Sequence, residues 1–213
     1  MAKKKKTVKN VKKPIPKRVK TAKKSQKKGA KSVTPAKRSK KKAAKRAKPP
    51  KATPASTENL TPGAAAPTFA LPTDGGGSLD LAHFRDKKNV VLYFYPKDNT
   101  PGCTVQACTF EKDSLDYAAQ DAVVVGVSAD SADSHSRFRR KYSLNFPLVV
   151  DEGAKLASRY GVWVEKKNYG KTYMGIQRAT FLIDKLGHIA AVWPKVKVEG
   201  HSQEVLEALR KLR

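Results

Sequence analysis

The chain of 213 residues has two cysteines, Cys103 and Cys108, and they lie five positions apart in the segment TPGCTVQAC. A strand-like run, YFYP, ends at Pro96, a polar turn follows, and Cys103 arrives where a helix reads as beginning. The free N–H groups and positive dipole end of a helix favour a thiolate over a thiol. A thiolate in that place is a nucleophile. Thr100, three residues earlier, can set its hydroxyl beside the sulfur and exchange a hydrogen bond with an incoming oxygen, while Pro101 and Gly102 set the turn. A lone cysteine is more often buried as a small hydrophobe, but the polar, turn-rich surroundings weigh against that here. Structural zinc would need four ligands, and neither a third Cys nor a nearby His is present. His83, His135, His188 and His201 are scattered singly and receive no role.

The elements that must position these thiols are legible as an α/β pattern. NVVLYFYP (89–96) and AVVVGVSA (122–129) are nearly continuous β-branched and aromatic runs, the pattern of strands covered on both faces. FPLVVD (146–151), ATFLID (179–184) and HIAAVW (188–193) supply three more strands, the last two joined by a turn at 185–187. Helices are predicted at about 103–119, 131–142, 153–160 and 202–212, the last with Val205, Leu206, Leu209 and Leu212 on one face. Strands interleaved with helices and finishing in a hairpin and a helix predict a mixed sheet with helices on both faces. That order is compatible with a thioredoxin-like fold.

Charge divides the chain. Lys and Arg number 45 against 18 Asp and Glu, and 24 of those bases fall in residues 1–51, which hold no acid. No aromatic residue precedes Phe69. Such a segment cannot bury enough apolar surface to offset its ordering entropy, so residues 1–51 read as a disordered Lys-rich tail, 52–68 as a Pro/Ala/Thr linker, and 69–213 as one globular domain. Mobile ammonium groups in residues 3–51 predict salt-sensitive, sequence-independent binding to DNA or another polyanion. The composition resembles the tails of linker histones and lysine-rich bacterial histone-like proteins. No apolar run reaches the ~18 residues a bilayer crossing needs, and no secretory apolar region follows the basic start. A reducing compartment is therefore expected, cytoplasmic and nucleoid-associated in a bacterium or nuclear in a eukaryote.

At the cysteines the sequence resembles the peroxiredoxins, and among them the peroxiredoxin Q or bacterioferritin comigratory protein group. The family pattern Pro-x-x-x-Thr/Ser-x-x-Cys is met by Pro96, Thr100 and Cys103, and a second cysteine five positions on is the hallmark of the Q group. GIQRATFLID (175–184) resembles the family's Arg-bearing strand and WPKVKVEGHSQEVL (193–206) its C-terminal segment. The resemblance implies a thioredoxin-like fold and a peroxidase acting on hydrogen peroxide and organic hydroperoxides. In it Cys103 would be the peroxidatic cysteine, Arg178 would stabilise thiolate and peroxide, Thr100 would orient the peroxide and Pro96 would shield the sulfur. Cys108 would resolve the sulfenic acid to an intrachain disulfide that a thioredoxin-type dithiol reduces. No metal, haem or flavin is required, and an intrachain partner removes the need for a dimer. On one helix, positions i and i+5 lie ~8.7 Å apart, beyond the about 7 Å limit for a disulfide, so that pairing requires the helix to open. Two other readings are a thiol-disulfide oxidoreductase, which commonly uses the C-x-x-C spacing absent here, and a DNA-packaging protein with a passive globular part.

Overall fold

The computed structural model describes residues 60–168 and 170–212. The Lys-rich tail and residues 52–59 of the linker lie outside them. In chain order the elements are β1 (Ala70–Pro72), β2 (Ser78–Asp80), a 3-10 turn (Leu81–Phe84), β3 (Asn89–Phe94), α1 (Pro101–Lys112), α2 (Ser114–Ala118), β4 (Ala122–Ser128) and α3 (Ala132–Tyr142). Then follow β5 (Leu148–Val150), α4 (Lys155–Arg159), β6 (Trp163–Asn168), β7 (Lys171–Ile176), β8 (Ala179–Ile183), β9 (Ile189–Trp193) and α5 (His201–Arg210).

The five long-range strands form one sheet in the order β5-β4-β3-β8-β9. β3 pairs in parallel with β4, β4 in parallel with β5, and β8 runs antiparallel to both β3 and β9. This is the mixed sheet of a thioredoxin-like fold. Alternation along β3 feeds two cores: Val90, Leu92 and Phe94 pack with Leu156, Tyr160 and Phe181, whereas Val91, Tyr93 and Tyr95 pack with Phe110, Phe138 and Leu206. The second core carries α1, α3 and α5, and Cys103 belongs to it. Its aromatic centre is tight, with the Tyr93 ring 4.9 Å from Phe110. Gly126 is required there, because a Cβ at that position would stand 2.7 Å from Leu148 Cδ2 and 2.8 Å from the Tyr93 hydroxyl.

Two expectations change, and strands appear that the sequence pattern does not mark. The helix predicted over 103–119 begins at Pro101, so Pro101 and Gly102 are its first turn rather than a preceding bend, and it breaks at Asp113 into α1 and α2. Proline suits that first position because its missing N–H is one the helix would leave unpaired anyway. The hairpin β6–β7 was not anticipated at all. Finally, residues 60–68 belong to the fold rather than to a linker. Gly63 N donates to the Ile189 carbonyl (2.8 Å), Ala66 N to Gly187 (2.9 Å) and Ile189 N to Ala64 (2.8 Å), and Ala66 is buried. Among the described residues no helix is long and apolar enough to cross a membrane.

Candidate active site

The connection from β3 to α1 is held by its own polar core. Asp98, buried between the strand and the helix, accepts from the Tyr95 hydroxyl (2.8 Å) and the Ser134 hydroxyl (2.7 Å), and faces His135 Nδ1 at 2.9 Å. The His135 side chain has no solvent exposure, and its Nε2 lies 3.3 Å from the Val149 carbonyl, so both ring nitrogens face acceptors. The Asp98 backbone N–H donates to Asp130 (2.8 Å), which also accepts from Ser128 (2.8 Å). Burial by itself raises the Asp98 carboxyl, but the bond to His135, its charge and the two hydroxyls outweigh it and hold the carboxyl below its ordinary value. Asn99 then takes a left-handed conformation (φ 58°), which its side chain tolerates better than most. Thr100 is extended and serves as the N-cap, its carbonyl accepting the first helical bond from Thr104 (2.9 Å).

Cys103 is the third residue of α1 and is 1% exposed. Its sulfur therefore lies in the first turn, among N–H groups that have no partner inside the helix. Across from it stands Arg178, whose Nη2 donates to Cys103 Sγ at 3.3 Å and whose Nη1 donates to Gln106 Oε1. Arg178 is delivered by the residue before β8 and pinned from both sides: Gln177 N donates to the Val162 carbonyl (2.7 Å) and Val196 N to the Arg178 carbonyl (3.2 Å). Gly102 leaves the guanidinium its space, since a Cβ there would meet Nη2 at 3.2 Å.

Cys103 and Arg178 are thus brought together. Thr100 lies one turn away, its hydroxyl donating to the Lys97 carbonyl (3.0 Å), which leaves the oxygen's lone pairs to accept. Pro96 lies in the same connection and is exposed. Cys108 sits on the same unbroken α1, half-buried, and both thiols are free. Burial pushes the Cys108 thiol up, and the nearby Glu111 carboxylate adds to this.

Sequence reasoning missed several residues around these. Gln106 is 2% exposed, orients Arg178, and its Nε2 has no hydrogen-bond partner among the described residues. Its only signal is the i+3 spacing from Cys103, which puts both on one helix face. Lys166 on β6 donates to the Ile176 carbonyl (2.6 Å); burial lowers its amine, the Arg178 charge lowers it further, and Cys103 opposes them. His201 at the start of α5 is buried, with Nε2 at 2.8 Å from the Thr180 hydroxyl, and its imidazole is lowered by burial against the opposing pull of Glu204. Among the described residues no group of three or more His, Cys, Asp or Glu could hold a metal ion.

Residues 62–192 match the AhpC/TSA family. Peroxiredoxin bcp of Coxiella burnetii is 50% identical over 147 residues, which cover 69% of this chain and 97% of that protein. Peroxiredoxin Bcp of Bacillus subtilis is 49% identical over 148 residues, 70% of this chain and 94% of that one. The bacterioferritin comigratory protein of Xanthomonas campestris, whose trapped-intermediate structures address its alkyl peroxide reduction activity, is similar with a TM-score of 0.65 at 39% identity, over 68% of this chain and 91% of that one.

Proposed function

Because the chain belongs to the AhpC/TSA family and is a peroxiredoxin, a thiol-dependent peroxidase, we propose that Cys103 is its peroxidatic nucleophile and Cys108 the thiol that resolves it. The observation that carries this reading is the Arg178 guanidinium at 3.3 Å from Cys103 Sγ. A fixed cation beside the sulfur stabilises thiolate and, as the reaction proceeds, the charge passing to the departing oxygen. The Cys103 thiolate attacks one peroxide oxygen, the O–O bond breaks, an S–O bond forms, and the leaving oxygen departs as alkoxide or hydroxide and takes up a proton. Thr100, its own proton turned to Lys97, accepts from the peroxide O–H and aims it. Pro96 limits the approach of water. Hydrogen peroxide and organic hydroperoxides both suit a site of this kind, and the alkyl peroxide activity studied in the Xanthomonas relative supports the second class.

The product is a Cys103 sulfenic acid, and Cys108 condenses with it to an intrachain disulfide and water. Both residues lie on α1, where the helix geometry keeps their Cα atoms about 8.7 Å apart and a disulfide wants less than about 7 Å. Opening of α1 is therefore a step in each cycle. A thioredoxin-type dithiol then returns both cysteines to thiols. The C-x-x-C spacing that suits disulfide exchange is absent from the sequence, which favours peroxide over a protein disulfide as substrate.

Residues 3–51 bind DNA or another polyanion through charge alone, as 24 bases without an acid in residues 1–51 would do. The tail then serves co-localisation, concentrating peroxidase where oxidants meet nucleic acid. The test takes two proteins. Cys103→Ser abolishes peroxide consumption coupled to thioredoxin, its reductase and NADPH, whereas deleting residues 1–51 removes duplex binding, whose affinity falls with a log-log salt slope of roughly −9 if about ten phosphates are engaged, and leaves turnover in place. Normal turnover by Cys103→Ser overturns the site, and a truncated chain with the same salt slope overturns the tail's role.

A further inference from the structure

The last turn of α1 carries an acid that the peroxide chemistry does not use. Glu111 lies three residues beyond Cys108, on the same helix face, and turns both carboxylate oxygens onto one residue of the loop between α3 and β5. The Asn145 backbone N–H donates to Oε2 at 2.7 Å and its Nδ2 donates to Oε1. This fork ties the stretch of helix that bears Cys108 to a fixed part of the sheet, since Asn145 is followed by the buried Phe146 and by β5. We propose that Glu111 is a positioning residue of the resolving step, holding Cys108 in the closed helix through its grip on Asn145. The inference rests on Cys108 being the partner of Cys103.

Two effects act in one direction. The grip must loosen, wholly or in part, when α1 opens, so it adds to the cost of bringing the sulfurs together. The carboxylate also opposes ionisation of its neighbour, after burial the second cause that raises the Cys108 thiol. The other ionisable groups coupled to that thiol are Tyr93, from β3, and Tyr142, from α3; Tyr142 in turn interacts with Lys141 and Thr104. None of these is a carboxylate. Resolution needs Cys108 as a thiolate to attack the sulfenic sulfur: the S–S bond forms, the S–O bond breaks, and hydroxide leaves and becomes water with the proton Cys108 gave up. Glu111 thus delays that attack until the helix has parted. Delay has a chemical consequence, because a sulfenate that waits can meet a second peroxide and become a sulfinate. The Glu111–Asn145 contact therefore sets how much peroxide excess the enzyme survives.

The experiment mixes the reduced full-length chain with peroxide, quenches with a thiol-blocking reagent at successive times, and reads sulfenate, disulfide and sulfinate by peptide mass. Glu111→Ala raises the ratio of disulfide formation to sulfenate formation about three- to fivefold, the size expected from losing one exposed charge-assisted fork, and lowers the sulfinate fraction at high peroxide. Asn145→Ala, which removes the side-chain half of the fork, moves both in the same direction by about two- to threefold. In a Cys103→Ser background, Glu111→Gln shifts the pH midpoint of Cys108 alkylation downward, which a merely structural contact would not do. A disulfide-to-sulfenate ratio unchanged or lowered in both Glu111→Ala and Asn145→Ala overturns the proposal while the pairing stands. A wild-type chain whose oxidised peptides hold no Cys103–Cys108 bridge overturns the pairing and this inference together.

Discussion

The connection entering α1 and the helix's last turn are each held by an acidic side chain, but in opposite surroundings. Asp98 is buried, meets His135, Tyr95 and Ser134 at 2.7 to 2.9 Å, and ties the connection after β3 to α3. Glu111 grips a single, exposed residue at the surface. A buried acid that loses its partner is left without water to replace it, whereas a surface acid is resolvated at once. The difference assigns the two ends of the helix separate duties. Under the proposed cycle the entering side would keep its turn in shape while the far side gives way.

The largest test of this contrast is thermodynamic. His135→Ala, which leaves the Asp98 carboxylate buried with only the Tyr95 and Ser134 hydroxyls, costs about 3 kcal/mol in denaturant unfolding, while Glu111→Ala costs under about 1 kcal/mol; similar losses would erase the distinction. Amide hydrogen exchange sharpens it next. In the oxidised protein the amides of 104–112 lose protection by on the order of a hundredfold, and those of Tyr95 and Asp98 keep theirs. Uniform loss across 95–112 would mean that Asp98 anchors nothing. A smaller effect lies inside the first turn, where Gly102→Ala presses on the Arg178 guanidinium and slows the peroxide reaction about tenfold, given how steeply rate depends on placement. Val105→Ala, on the exposed side of the same helix, serves as the control in stopped-flow measurement.

The smallest effect is on pH dependence. His201 has its imidazole lowered in the fold, so as pH falls through the unfolded value of about 6.5 the unfolded chain takes up a proton that the folded chain refuses. Stability drops in that window by under about 1 kcal/mol, and His201→Asn flattens it. Asp98, lowered in the fold, stabilises above about 3.9 and loses its contribution as pH falls through its folded value. Two separate steps in an acid titration followed by circular dichroism are the expected record, and a single step at carboxylate pH would remove His201 from it.

The central strands were legible because burial on both faces writes itself as runs such as NVVLYF and AVVVGVS. The placement of Cys103 in the first turn of a helix was legible for a related reason: a strand end, a turn and a helix start are local events, encoded within a dozen residues. What escaped is non-local or needs no side chain. The β6–β7 hairpin, WVEKKN against KTYMGI, is charged and half exposed, so it lacks the apolar density that marks a strand. Residues 63–66 join the fold through backbone bonds, to which their Gly/Ala composition is blind. Asp98 and His135 lie 37 positions apart, and nothing near either predicts the other. Arg178 was reachable only through the family resemblance, since on its own it reads as an ordinary strand-edge arginine.

That arginine's address has a consequence for how the enzyme comes into being. Phe94 and Ala179 are partners in the β3–β8 register, so the guanidinium meets the sulfur only when two stretches of chain separated by some 75 residues have zipped in one alignment. A slip of a single residue would turn every side chain of β8 to the opposite face. During synthesis Cys103 emerges long before its cation does. The newborn thiol therefore stands without the Arg178 contact until β8 has paired with β3. A misaligned chain lacks the contact between guanidinium and sulfur altogether, so under the proposed function the pairing of two strands doubles as the assembly switch of the site.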